Sequence, residues 1–246
     1  MSIQKKELRL AGGRIAATLF EKEEGRGPLV ICSHELGVGR MFTFPYARAL
    51  AQNGYRALTF DFCGGSPDSE SEGKTTEMSV LTEIQDLKDV ITDTCIREEL
   101  DPSKIILLGC SQGAVVSALT SLQMKPKALI LLYPALHLSE HNREMFFRKE
   151  EIPEEFHIFD WVTLGRKYAL DIWDLDVFQE IARISVPTLL LHGDADPVVP
   201  LAYAQKASQT IPDVEYHVIP QGGHGFFGEA QEKARTYILD FLQEKL

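Results

Sequence analysis

The chain has 246 residues, of which 44% are hydrophobic and 25% are charged, a composition typical of a globular protein with a large buried core. Its 25 Lys and Arg residues against 36 Asp and Glu residues give a net charge of −11, which argues against nucleic acid or anionic membranes as partners. The longest apolar run, residues 128–136, is shorter than the roughly 20 residues that a bilayer span needs. Because no apolar stretch suits a signal peptide, we expect a cytoplasmic protein without a membrane span.

The four cysteines lack the spacing of a metal or redox motif. Cys32, Cys63, Cys95 and Cys110 lie far apart, and none belongs to a C-x-x-C pair. We therefore expect reduced, mostly buried thiols, and neither a zinc ribbon nor a thioredoxin-like site. The sequence predicts no metal site.

Two hydrophobic periods alternate along the chain. Residues 3–10 and 14–20 alternate apolar with polar around Gly12 and Gly13, which predicts a β-hairpin. Short, nearly continuous apolar runs predict strands buried on both faces, at residues 28–34, 55–62, 104–109, 128–133 and 188–191, and residues 216–219 also have strand character. Apolar residues three and four apart predict helices between them, at residues 46–53, 79–100, 111–122, 203–210 and 231–242. This alternation predicts an α/β fold, with a mainly parallel sheet and helices on both faces.

Residues 137–182 interrupt that alternation. The segment holds 8 of the chain's 22 aromatic residues, including both tryptophans, Trp161 and Trp173. We predict that it is a helical cap inserted into a single domain of residues 1–246, and that the two tryptophans contact substrate. The alternative is an ordinary pair of surface helices whose aromatic residues pack on the helices of the sheet.

The strongest chemical signal is Gly109-Cys110-Ser111-Gln112-Gly113, which follows a buried strand and precedes a helical pattern. A serine between glycines at this spacing is typical of a nucleophile elbow. A side chain two positions before or after the serine would crowd the sharp turn. The motif therefore predicts that Ser111 stands exposed at the carboxyl edge of the sheet, beside a helix N-terminus that attracts negative charge.

A nucleophilic serine needs a base and an acid that orients the base. His224 lies in a glycine-flanked loop after the strand character at 216–219, and Asp194 and Asp196 follow the strand at 188–191. The chain order serine, aspartate, histidine is that of α/β-hydrolases. We choose Asp196 because Pro197 favours an extended conformation before it, whereas Asp194 is placed to bind backbone N–H groups of its own turn.

Acyl transfer also needs two N–H donors for the developing oxyanion. The residue after the nucleophile, Gln112, supplies one from its backbone. The loop after the strand at 28–34 supplies the other, and we assign it to the backbone of Leu36.

Together these motifs resemble the α/β-hydrolase superfamily over nearly the whole chain, and within it the bacterial cinnamoyl/feruloyl esterase-like group. The match rests on the elbow around Ser111, the His192-Gly193-x-x-Asp196 loop and the Gly223-His224 loop. The turn at 61–66 matches the group loosely, and the segment 78–91 with Asp86 is similar to the group's long helix. The resemblance implies ester hydrolysis, no cofactor and a cap that recognises the acyl or alcohol group.

Glu35 departs from the resemblance, since the group usually has glycine there. A glutamate followed by an aliphatic residue is similar to dienelactone hydrolases, which use a cysteine nucleophile, but here Ser111 occupies the nucleophile position and Cys110 comes one residue early. Two interpretations of Glu35 stay open. Its carboxylate points to water, or it lies near Ser111 and shapes the pocket.

The function predicted from these features is that of a serine-dependent carboxylic ester hydrolase. We expect small apolar or aromatic acid esters, of the cinnamoyl or feruloyl kind, as the small-molecule substrates. An acylglycerol lipase, a thioesterase, a dienelactone-type hydrolase and a small-peptide hydrolase use the same triad and stay open, as does a non-enzymatic ligand receptor. A dehalogenase would instead need an aspartate at position 111. The oligomeric state stays open, with a homodimer among the options.

Overall fold

A computed structural model of the protein describes residues 2–23 and 27–245, and its first element is the predicted β-hairpin. Strands β1 (Ile3–Leu10) and β2 (Ile15–Lys22) pair antiparallel, with Leu10 opposite Ile15. Gly12 and Gly13 in the connection have positive φ angles of 69° and 100°, which glycine adopts without strain. Residues 1, 24–26 and 246, which the predicted single domain includes, lie outside the described residues.

The described residues contribute eight strands to the main sheet, in the order β1-β2-β4-β3-β5-β6-β9-β10. Pairing is parallel from β4 onward, and antiparallel between β1, β2 and β4, so the prediction of a mainly parallel sheet is confirmed. A separate two-stranded sheet pairs β7 with β8. The remaining bounds are β3 (Leu29–Ser33), β4 (Arg56–Phe60), β5 (Ile106–Cys110), β6 (Ala128–Leu132), β7 (Glu155–Ile158), β8 (Val162–Gly165), β9 (Thr188–Gly193) and β10 (Val214–Ile219).

Helices cover both faces of the main sheet, as predicted. One face packs against α1 and α8, and the other packs against α2, α3 and α7, each through its own cluster of buried apolar side chains. This double cover explains why β3 to β6 are apolar without alternation. The helices in the described residues are α1 (Phe44–Gln52), α2 (Val80–Glu98), α3 (Gln112–Met124), α4 (Leu138–Met145), α5 (Arg166–Ile172), α6 (Val177–Ile181), α7 (Leu201–Thr210) and α8 (Glu229–Lys245).

The segment 137–182 contains helices α4, α5 and α6, as the predicted helical cap requires, and it also contains a β-hairpin that the sequence did not predict. Between α4 and α5 the chain forms the β7–β8 hairpin, whose buried side chains are Phe156, Val162 and Leu164. The two strands have four residues each, which is too short for an alternating pattern to stand out in the sequence. The Thr75 hydroxyl ties the hairpin to the body of the domain by donating to the Thr163 carbonyl at 2.5 Å.

The helices and the cysteines bear on two further predictions from the sequence. Within the described residues, every helix is too short or too polar to cross a membrane. The four cysteines are free, with Cys32, Cys95 and Cys110 buried and Cys63 half-buried, as predicted.

Candidate active site

The candidate active site is centred on the turn between β5 and α3. Ser111 has φ 50° and ψ −115°, a strained combination for a residue with a side chain. The flanking glycines permit the turn, because a Cβ at Gly109 would overlap the carbonyl of Gly113, and a Cβ at Gly113 would overlap the carbonyl of His34. The chain thus forms the predicted sharp turn, and Ser111 directly precedes the first N–H groups of α3.

Three side chains from distant parts of the chain meet at this turn. His224 Nε2 lies 2.9 Å from Ser111 Oγ, and His224 Nδ1 lies 2.8 Å from Asp196 Oδ2. The other oxygen of Asp196 accepts from the N–H groups of Val198 and Val199 at 2.8 and 2.9 Å. Burial alone would raise the pKa of Asp196, but the hydrogen bonds from His224 and from these N–H groups hold it below its usual value. The carboxylate is therefore charged at neutral pH and can stabilise a proton taken up by His224.

Asp194 has a different partner from the one that the sequence suggested. Its carboxylate accepts from the backbone N–H of Gln221 at 2.6 Å, which belongs to the histidine loop and not to the turn of Asp194 itself. The Ala195 N–H also donates to the Gly222 carbonyl at 3.0 Å. These bonds fasten the acid loop to the histidine loop, which fixes the position from which His224 reaches Ser111.

The loop after β3 is held by the buried side chain of His34. Its Nε2 accepts from the Phe62 N–H at 3.1 Å, so the proton of the neutral ring is on Nδ1, which donates to the Glu35 carbonyl at 2.6 Å. Burial lowers the pKa of His34 and keeps the ring neutral. Because a trans peptide is planar, fixing the Glu35 carbonyl turns the Leu36 N–H to the opposite side.

A similar constraint fixes the peptide between Ser111 and Gln112. The Ser111 carbonyl accepts from the N–H groups of Ala114 and Ala135, both at 3.1 Å, so the Gln112 N–H points the other way. Within the described residues, the N–H groups of Leu36 and Gln112 donate to no protein atom. The structure therefore leaves two preset donors free at the residues assigned to the oxyanion site.

Glu35 lines the cavity above Ser111, and one of its carboxylate oxygens is buried. Burial raises the pKa of Glu35, and the attraction of nearby His224 only partly opposes this shift. Of the two interpretations of Glu35, the structure favours the one in which the carboxyl group shapes the pocket.

A cavity of about 1050 Å³ opens above the serine. Its walls come from the loops around Leu36 and Val198 and from the segment 137–182, including His137 and Tyr168. Among the described residues, no lysine or arginine lines it, whereas the carboxyl groups of Glu35 and Glu144 do. The cavity thus presents no lysine or arginine of the described residues to an anionic substrate.

The two tryptophans have different positions. Trp161 lines the cavity edge at the end of the β7–β8 hairpin, is 61% exposed, and stacks on Phe159 with ring centroids 5.0 Å apart. Trp173 does not line the cavity, so its prediction as a substrate contact is wrong. It follows the last residue of α5 and is 8% exposed, because it packs into the apolar core under the segment. Aromatic enrichment alone does not distinguish a core position from a pocket wall.

Two residues at the site, Tyr168 and Glu83, were not predicted from the sequence. Tyr168 donates to the Gln112 side chain, and Glu83 accepts from it. The sequence could have indicated Glu83, because it lies three residues after Val80 and four before Leu87, on the buried face of α2, where a charged residue is unusual. In residues 2–23 and 27–245, no cluster of three or more His, Cys, Asp or Glu side chains is arranged to hold a metal ion.

Comparison with known proteins adds the family. A protein-family sequence model described as "Alpha/beta hydrolase family" matches residues 30–236. An uncharacterized protein of Mycobacterium tuberculosis (strain ATCC 25618 / H37Rv) is 25% identical over 203 residues, which are 81% of this chain and 64% of that protein, so the chain spans less than two thirds of its length. A putative carbamate hydrolase of Variovorax paradoxus (strain S110) is 25% identical over 249 residues, covering 88% of this chain and 92% of that protein.

Solved structures give the same fold. Est1E from Butyrivibrio proteoclasticus, solved with ferulic acid bound, superposes with a TM-score of 0.83 at 22% identity, covering 97% of this chain and 99% of that one. A thermophilic esterase from Thermogutta terrifontis superposes with a TM-score of 0.71 at 21% identity, covering 98% of this chain and 99% of that one. At these identities the likeness establishes the fold.

Proposed function

Because the chain belongs to the alpha/beta hydrolase family, we propose that it is a carboxylic ester hydrolase in which Ser111 is the nucleophile, His224 the general base and Asp196 the residue that orients the base. The observation that carries this proposal is the unbroken chain of hydrogen bonds from Ser111 Oγ through both nitrogens of His224 to Asp196. Such a chain allows a serine hydroxyl to lose its proton as it attacks a carbonyl carbon.

The proposed reaction has two halves. Ser111 Oγ attacks the ester carbonyl while His224 Nε2 takes the serine proton, and the N–H groups of Leu36 and Gln112 stabilise the negative oxygen. His224 then gives this proton to the leaving alcohol, which departs and leaves an acyl group on Ser111. Water, deprotonated by His224, attacks the acyl carbonyl, and return of that proton to Ser111 Oγ releases the acid. Asp196 holds the proton-bearing ring in place throughout.

The cavity supports neutral esters with an apolar or aromatic acyl group as substrates. Its walls include Trp161 and Phe159, and no lysine or arginine of the described residues lines it. The structural relatives support the same class, since one was solved with ferulic acid bound and another is a thermophilic esterase. In this proposal, residues 137–182 form a cap over the site within a single domain, and the cap selects the acyl or alcohol group.

The cysteine alternative has little support from the geometry. Cys110 is fully buried, and burial raises the pKa of its thiol well above the usual value, which suppresses the thiolate that a cysteine mechanism needs. A carbamate substrate is the second candidate function, because the relative from Variovorax paradoxus that aligns with most of both chains is named a putative carbamate hydrolase.

A substrate panel tests the proposal. Purified protein is assayed against p-nitrophenyl esters, hydroxycinnamate methyl esters, a coenzyme A thioester and an aryl carbamate, with Ser111→Ala as the matched inactive variant. We expect kcat/KM to be highest for a neutral aromatic or short apolar ester and lowest for the anionic thioester. Hydrolysis only of the carbamate would assign the second function, and hydrolysis that survives in Ser111→Ala would contradict the mechanism.

A further inference from the structure

The side chain of Gln112 is held at both ends by a buried chain of hydrogen bonds that the proposed mechanism does not use. Its Nε2 donates to Glu83 Oε2 at 2.8 Å, and its Oε1 accepts from the Tyr168 hydroxyl at 2.6 Å. Each of the three residues is 1% exposed. Since one end of the amide donates and the other accepts, this pair of partners allows only one orientation of the Gln112 side chain.

The protonation of both partners suits these roles. Burial is the main cause that raises the pKa of Glu83 to about 8, the hydrogen bond from Gln112 opposes this shift, and Asp86 on the same helix adds to it, so Glu83 is neutral at pH 7. Burial also raises the pKa of Tyr168 far above neutral pH, and nearby Glu83 adds to this shift, so the phenol keeps its proton and donates it. The two hydrogen bonds of the Gln112 side chain therefore form without a buried charge, and each joins it to a buried polar partner.

The chain joins three elements of the fold. Glu83 lies in the first turn of α2, Gln112 is the first residue of α3, and Tyr168 lies on α5 of the segment 137–182. A second bond links α5 to the same end of α2, because the Ser79 hydroxyl donates to Asp171 Oδ2 at 2.5 Å. The start of α3 is therefore fixed from two sides.

The β7–β8 hairpin, which precedes α5, contacts the loop that contains Leu36, the other proposed oxyanion donor. A Cβ at Gly37, next to Leu36, would lie 2.5 Å from Val162 Cγ2, so β8 packs directly on the backbone of this loop. The segment from β7 to α5, residues 155–172, thus contacts the residue beside one proposed donor and the side chain of the other.

Resting on the proposed function, we propose that Glu83 and Tyr168 are positioning residues, which fix Gln112 so that its backbone N–H points at the oxyanion during turnover. Neither touches the reacting atoms in this mechanism. Oxyanion stabilisation depends on donors that are preset to within a few tenths of an ångström, because a donor that must move at the moment of reaction loses its advantage. The segment 155–172 is accordingly part of the catalytic framework, and stays docked while substrate turns over.

Four variants test the assignment by steady-state kinetics on the best ester of the panel. Tyr168→Phe removes one hydroxyl, Glu83→Leu removes the acceptor, and Glu83→Gln restores an acceptor of the same shape. Tyr216→Phe is the matched control, because its hydroxyl lies on β10 and has no hydrogen-bond partner within the described residues. Active enzyme is counted by titration of Ser111 with a fluorophosphonate, so that a loss of folded protein is not mistaken for a lower kcat.

We expect kcat to fall about 10-fold in Tyr168→Phe and Glu83→Leu, part of the roughly 100- to 1000-fold effect of losing a whole oxyanion donor. KM should stay within about twofold, since Gln112 is assigned to the transition state and not to ground-state binding. Glu83→Gln should recover most of the wild-type kcat, and Tyr216→Phe should match the wild type. If Glu83→Leu fails to fold, Tyr168→Phe decides the question alone, because it changes no packing volume.

Three outcomes would overturn the inference. Wild-type kcat in Tyr168→Phe would show that Gln112 needs no anchor, and the proposed function would stand. A Glu83→Gln variant as impaired as Glu83→Leu would show that the hydrogen-bond acceptor is not what matters. A wild-type protein that neither hydrolyses any ester nor reacts with the fluorophosphonate would overturn the proposed function, and this inference with it.

Discussion

Asp194 and Asp196 lie two residues apart and accept hydrogen bonds from different parts of the same loop. Asp196 accepts from the His224 ring at 2.8 Å, and Asp194 accepts from the Gln221 backbone at 2.6 Å. Asp196 has a fully buried carboxylate, whereas Asp194 is exposed. In the proposed mechanism Asp196 orients the base, His224, and Asp194 positions the loop that carries it.

This division of roles predicts unequal effects of two matched amide substitutions. Asp196→Asn should lower kcat about 10⁴-fold with folding intact, because the amide favours the wrong tautomer of His224. Asp194→Asn should keep kcat within about 10-fold and lower stability by about 1 kcal/mol, the value of one hydrogen bond. Measuring kcat and Tm for both variants checks this. An inactive Asp194→Asn beside a nearly normal Asp196→Asn would reverse the assignment.

The different positions of Trp161 and Trp173 predict that substituting the first changes substrate specificity and substituting the second changes stability. Trp161→Ala should change the ratio of kcat/KM values between a hydroxycinnamate ester and a short acyl ester by about 10-fold, as expected for a lost apolar wall. Its Tm should change little, because Trp161 is 61% exposed. Enzyme kinetics and thermal melts measure both quantities. Equal losses for all esters would contradict the contact that we propose for Trp161.

Trp173→Ala is the matched comparison. It should lower the free energy of unfolding by about 3–5 kcal/mol, because it leaves a cavity in the core, while the ester ratio of the folded fraction stays at the wild-type value. Urea unfolding measures the first quantity. An altered ester ratio with unchanged stability would restore Trp173 as a substrate contact.

Most of the fold followed from the sequence, because strong periods and local motifs encode it. The buried strands, the long helix α2 and the chain order of Ser111, Asp196 and His224 depend on runs and spacings that a single sequence displays. The β7–β8 hairpin did not follow, since strands of four residues give no clear period. The positions of Trp173 and Tyr168 did not follow either, because burial and hydrogen bonding across elements depend on tertiary packing.

The buried Glu83 predicts a pH dependence of stability. Its pKa is about 8 in the folded protein and 4.5 as the reference for an unfolded chain, so the folded state binds this proton more tightly. The resulting stabilisation is complete below about pH 4.5 and is lost as the pH rises through about 8. Glu83→Gln cannot lose a proton, so its stability relative to the wild type should increase by about 2–4 kcal/mol between pH 5 and pH 9.

Urea unfolding of the wild type and Glu83→Gln at pH 5, 7 and 9 measures this difference. Glu77→Gln is the control, because it makes the same substitution at an exposed position just before α2. Parallel stability curves for the wild type and Glu83→Gln would show that Glu83 is charged in the folded protein.

The proposed mechanism requires that Ser111 attacks the substrate and carries the acyl group. The most direct measurement is peptide mapping by mass spectrometry after reaction with a fluorophosphonate probe. The mapping is repeated after reaction with a slowly hydrolysed ester, quenched with acid so that the acyl group stays on the enzyme. We expect one label per chain on the peptide that contains Ser111, and fragmentation of that peptide should place the label on Ser111 itself. The label should vanish in Ser111→Ala and persist in Cys110→Ala. A label on Cys110, or none on Ser111 while esters are hydrolysed, would show that Ser111 is not the nucleophile.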